Sequence, residues 1–126
     1  MIDWSQVVTP EAKAEQARVA LIASIASRRY AAETAGVAVG GAQIDTSRDS
    51  QGLISGAALS AMLDPSYVCR WKTPAGFVEL TAEQILGVAQ AVRAHVQACF
   101  DREAALLAEI EAGTYAAAML ETGWPA

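Results

Sequence analysis

With 126 residues the chain has the length of one domain, enough to bury roughly 65% of the surface its unfolded form exposes. It is 53% hydrophobic but only 6% aromatic, with alanine supplying much of the rest, a composition that favours closely packed helices over a thick core with large cavities. A formal charge of −5 excludes a general electrostatic drive toward nucleic-acid phosphates or anionic lipid, and no stretch reaches the ~18 apolar residues of a membrane span.

The opening "MIDWSQ" lacks the basic flank and apolar run of a signal peptide, so a soluble protein made in a cytoplasm is expected. Cys69 and Cys99 are the only cysteines, without the paired spacing of a zinc site, and read as reduced, buried, small apolar residues.

In chain order, Thr9 and Pro10 supply an N-cap and a first-turn proline. The run to Thr34 places Val19, Ile22, Ala26 and Arg29 or Tyr30 on one stripe, predicting a helix over residues 10–34. Arg28 and Arg29, the only adjacent basic pair, fall near its end, where cations meet the negative end of the helix dipole. After Gly36, "VAVGGAQI" predicts a hairpin turning at Gly40-Gly41, with Val39 opposite Ala42 and Val37 opposite Ile44. From Ser47 the spacing of Ile54, Ala57, Ala58, Ala61 and Met62 predicts a second helix, stopped by Asp64-Pro65.

"VCRWKTPAGFVEL" predicts a second hairpin with Lys72 opposite Phe77. In that register Cys69, Trp71, Val78 and Leu80 share one face, and Arg70 stands opposite Glu79. "TAEQ", residues 81–84, has the form of a capping box and opens a long helix. Its seam of Ile85, Ala89, Val92, Val96, Cys99, Glu103, Leu106 and Ile110 resembles that of a coiled coil and closes at Gly113. Thr114 is placed to cap a short last helix through Glu121.

Two features could carry chemistry. "DTSRDSQ", residues 45–51, is polar enough to hold a cation or phosphate, yet no downstream bidentate glutamate completes a calcium loop. It reads as a helix start with Thr46 as N-cap and Asp49 near the positive helix end. His95, the only histidine, stands four residues before Cys99 on one helix face. Neither has the further ligands of a metal site nor an identified oxyanion donor, so packing is the expected role. No catalytic, cofactor-binding or metal-ligating residue is therefore assigned. Glu103 interrupts an apolar seam, either lifting its charge into water at the helix edge or making a buried pairing that sets register. Gly52, Gly56 and Ser60 form a smooth strip on the second helix. Trp4 and Trp124 in the terminal segments either fold back or anchor in a partner.

"RRYAAETAGVAV", "DTSRDSQ", "GAALSA", "WKTPAGFVEL" and "AVRAHVQACFDREAAL" occur in the order in which this chain, from residue 29 to residue 110, resembles a phage and prophage family, domain of unknown function 4376. The resemblance implies a phage-tail setting, because such domains are often encoded beside tail-fibre genes or fused to tail-fibre assembly proteins. It carries over no catalytic residues.

The expected fold is α+β, two antiparallel hairpins packed with three main helices, the C-terminal one long, the hairpins being candidates to join in one sheet. Residues 1–28 form an N-terminal helical extension, residues 29–113 the family-like core and residues 114–126 a tail, all in one domain. The expected function is non-enzymatic and chaperone-like, aiding tail-fibre assembly or attachment in the host bacterial cytoplasm. The alternative is a permanent subunit of the virion tail tip, baseplate or fibre. The expected partner is a tail-fibre or baseplate protein, or a second copy, with no cofactor, nucleic acid or membrane. A helix of ~30 residues reaches about 45 Å, beyond a core roughly 28 Å across, so its distal half is expected to project. Phe100, Glu103, Leu106, Leu107 and Ile110, with Trp4 and Trp124, are the expected partner-binding residues.

Overall fold

The structure is a computed structural model in which residues 8–126 are described. Three helices carry most of the chain: α1 (Pro10–Glu33), α2 (Arg48–Leu63) and α3 (Ala82–Ala112). Strands β1 (Val37–Val39) and β2 (Ala42–Ile44) connect the first two helices, and β3 (Val68–Thr73) and β4 (Gly76–Thr81) connect the second to the third. The fold is α+β, with both strand pairs antiparallel.

Local chemistry sets the boundaries. The Thr9 side chain accepts from the Ala12 amide at 3.1 Å and Pro10 occupies the first turn of α1. Gly40 and Gly41 both take positive φ, 58° and 83°, which a two-residue hairpin with the right twist requires and other residues resist. Thr81 and Gln84 form the expected reciprocal capping box at the start of α3. Gly113, left-handed at φ 74°, receives the end of that helix through bonds to the last carbonyls.

Both hairpin registers are as the alternation predicts: Val37 faces Ile44, and Lys72 faces Phe77 with Arg70 opposite Glu79. The two hairpins do not join, however, and remain separate two-stranded sheets. Each lays one face on α3 instead, since burial against that helix satisfies their apolar sides without a shared ladder.

The N-terminal half of α3 is the spine of the core. Val88, Val92 and Val96 pack with Ile54 of α2 and Ile44 of β2, while Ile85 and Ala82 pack with Ala57 and Ala61 of α2. Trp71 and Leu80 of the second hairpin touch both groups. Met62, expected on the buried stripe of α2, is 71% exposed, because α3 covers only the Ile54, Ala57 and Ala61 side of a helix that is apolar on more than one face.

The distal half of α3 does not stand free. Antiparallel α1 lies along it, tied by Arg18 to Glu111, by Arg29 to Glu103 and by His95 to Ala32. Between these ties fall Ile25 and Leu106, both fully buried. The tail adds a second cover: Arg102 of α3 donates to the carbonyls of Thr122 and Met119 at 2.9 and 3.0 Å. The expected projection is thus replaced by a helical pair with a strapped end. Thr114 does not cap the last helical turn, which is a 3-10 helix over Ala117–Glu121 with Ala116 at its N-cap; the Thr114 side chain turns back to Glu109 instead.

Candidate functional site

The polar stretch at residues 45–51 is divided between two tasks. Ser47, not Thr46, is the N-cap of α2, accepting from the Ser50 amide at 3.2 Å. Asp45 accepts from the Ser47 amide and hydroxyl and from the Ser50 hydroxyl, bonds that hold its carboxyl below the usual range. Thr46 is fully buried: its hydroxyl donates to the Glu33 carbonyl at 2.6 Å and accepts from the Gly36 amide at 2.9 Å. A one-residue shift explains the difference, for Thr46 serves the end of the preceding helix rather than the start of its own.

The end of α1 explains why such a residue is needed. A helix leaves its last carbonyls without internal partners, and this end is buried. Thr46 bonds the Glu33 carbonyl, and His95 Nε2 donates to the Ala32 carbonyl at 2.9 Å. The Glu33 side chain, also fully buried, is gripped from three directions: Arg29 Nη1 at 2.6 Å, Arg48 Nη2 at 2.9 Å and Gln51 Nε2 at 2.9 Å. Burial pushes this carboxyl up, but the hydrogen bonds from Arg48, Gln51 and Arg29 outweigh it and leave it below its ordinary range. Arg29 also reaches Glu103 at 3.1 Å and lies over the Phe100 ring.

Arg29 is therefore the bridge between Glu33 and Glu103, not a free cation meeting the helix dipole, and Arg28 stacks over Trp124 and pairs with Glu121. "RRYAAE", "DTSRDSQ" and "DREA" meet in one network that locks three helices together. Its charged and amide groups bond one another and fasten the end of α1 to α2 and α3. His95 and Cys99 lie beside it, 3.9 Å apart and buried, and His95 Nδ1 has no hydrogen-bond partner among the described residues. Burial pushes the Cys99 thiol up, away from the thiolate that nucleophilic chemistry needs.

The expected partner-binding residues scatter. Leu106 is fully buried, Leu107, Ile110 and Glu103 are half-buried, and Phe100 is 37% exposed beneath Arg29. Trp124 folds back, its indole donating to the Leu120 carbonyl at 2.7 Å. Trp4 lies outside the described residues.

The exposed apolar surface lies elsewhere. On α2, Leu53, Leu59, Met62 and Leu63 are 57–78% exposed, and Phe77 on β4 is 71% exposed. Between α2 and the second hairpin runs a groove of about 690 Å³, walled by Gly52, Gly56 and Ser60 on one side and residues 69–72 of β3 on the other, with Leu53 and Phe77 also lining it. The small-residue strip was legible in the sequence, but the apolar residues beside it were not. Their signal is that α2 carries leucines and a methionine outside its buried three-four stripe.

A family model described as domain of unknown function (DUF4376) matches residues 16–122. No curated protein and no solved structure matches the chain. Among the described residues, no helix is long and apolar enough to cross a membrane.

Proposed function

We propose that this chain, which belongs to the DUF4376 family, is a non-enzymatic interaction protein of a phage tail that aids tail-fibre assembly or attachment by covering a surface of a fibre or baseplate protein. The phage setting comes from the family resemblance. The interaction role is supported by one observation above others: large apolar side chains remain in water on α2 and β4 while the polar motif is absorbed in holding the helices together. Each Leu, Met or Phe transferred from water into an interface contributes about 1.5–3 kcal/mol, so a few of these residues suffice to drive association.

A photo-cross-linking residue at Leu59 or Phe77, introduced into the protein expressed alongside tail genes, tests the reading. Cross-links to a fibre or baseplate protein in assembly intermediates support it. Folded variants that cross-link to no tail protein overturn it. Mass spectrometry of purified particles separates the two roles: stoichiometric presence marks a permanent subunit, and absence marks an assembly factor.

A further inference from the structure

We propose that the groove between α2 and β3 takes an extended, acidic segment of a partner protein, added as a further strand along the free edge of β3. The proposal rests on the reading of the chain as an interaction protein and names the surface and the chemistry of what binds there.

The groove follows a strand edge. Consecutive side chains of a strand point to opposite faces, yet the four successive residues 69–72 all line this cavity, as only a channel along the edge can touch. Strand β3 pairs with β4 on one side and, among the described residues, has no hydrogen-bonded neighbour on the other. Such an edge offers unpaired backbone donors and acceptors, which an extended polypeptide satisfies and a helix does not.

The opposite wall is shaped to admit a backbone. A Cβ added at Gly52 or Gly56 would meet no atom within 4 Å, so no part of the described chain requires glycine there. Glycine inside a helix is unfavourable by about 1 kcal/mol relative to alanine, and no packing among the described residues offsets it here. A close-lying partner strand supplies the missing reason.

Charge selects the occupant. Arg70 and Lys72 flank the channel, and neither is among the ion pairs formed by the described residues. Among the described residues the one carboxylate lining the groove, Asp45, is already engaged by Ser47 and Ser50. An incoming strand with Asp or Glu facing Arg70 and Lys72 gains attraction, while a basic one is repelled. The exposed Leu53 and Phe77 receive its apolar side chains.

A displayed library of random strand-length peptides, panned against the full chain, tests this without knowledge of the natural partner. Enriched peptides are expected to combine Asp or Glu with alternating β-branched residues and to slow amide exchange in β3. Their binding is expected to weaken about tenfold or more in Gly56→Leu, which fills the channel, and in Arg70→Glu with Lys72→Glu. Gly52→Ala, a smaller filling, guards against a folding defect, and both glycine variants should retain wild-type helical dichroism. Selected peptides without acidic residues, or binding unaffected by Gly56→Leu, overturn the proposal, as does a free chain that dimerises with β3 already protected. The two readings fail separately. Tail-protein cross-links that survive Gly56→Leu remove the groove and leave the tail function, whereas groove-bound peptides without any tail cross-link do the reverse.

Discussion

The Arg48 guanidinium and the Glu33 carboxylate, fifteen positions apart, form a two-point ion pair, Nη2 lying 2.9 Å from Oε1 and Nε against Oε2, where the buried end of α1 abuts the start of α2. Glu33 has no exposed surface, whereas the Arg48 side chain is 55% exposed, so the two partners carry unequal burdens. Removing Glu33 takes away the acceptor shared by Arg29, Arg48 and Gln51 and leaves their donors around an empty centre. Glu33→Ala is expected to cost about 3–5 kcal/mol in urea unfolding, while Arg48→Ala costs clearly less because Arg29 and Gln51 remain. Equal losses would place the weight of the network on Arg48.

The same carboxylate sets a pH dependence. Its folded value lies below the ordinary range, the donors having outweighed burial, so its stabilisation is complete above the unfolded carboxylate value, near pH 4.3. It is lost as pH falls through the lower, folded value. The stability gap between wild type and Glu33→Gln should therefore be largest near pH 7 and shrink as pH falls from about 5 toward 3. A gap that stays constant across the titration would mean that Glu33 acts by shape alone.

Thr46 and Ser47 separate by substitution. Thr46→Val keeps the shape but leaves the Glu33 carbonyl and Gly36 amide unbonded, with an expected loss of about 1–3 kcal/mol. Ser47→Ala loses the N-cap and about 1 kcal/mol. Thermal melts of the two variants decide the order, and a larger effect at Ser47 would contradict the buried position of Thr46.

Leu106→Asp should prevent folding rather than dissociate an oligomer, because it places a charge where no exposed surface exists. Circular dichroism of the purified variant checks this. A soluble, helical Leu106→Asp protein would show that α1 can leave the seam.

At Gly56, alanine is expected to raise stability by about 0.5–1 kcal/mol, the added Cβ standing in open space within a helix. Chemical denaturation measures the gain; a loss would mean that the glycine has an intramolecular partner.

Much of the architecture is determined by local pattern. Thr9-Pro10, the capping box of Thr81 and Gln84, Gly40-Gly41 and Gly113 mark boundaries because each solves a backbone problem within a few residues of itself. Strand alternation likewise fixes both registers, since a one-residue slip would turn Trp71 and Leu80 away from α3. Tertiary structure decided what the polar and excess apolar residues are for. Thr46 and Ser47 both suit an N-cap, and only the arrival of α1 at that point assigns Thr46 to the Glu33 carbonyl. Glu103 and Arg29 are 74 residues apart, and no local spacing encodes their meeting. The seam through Leu106 is legible, but whether α1 or another molecule covers it depends on the return angle of a distant helix. Leu53, Leu59 and Met62 are as apolar as Ile54; they face water because α3 can cover only one side of α2, a limit set by packing geometry rather than by residue type.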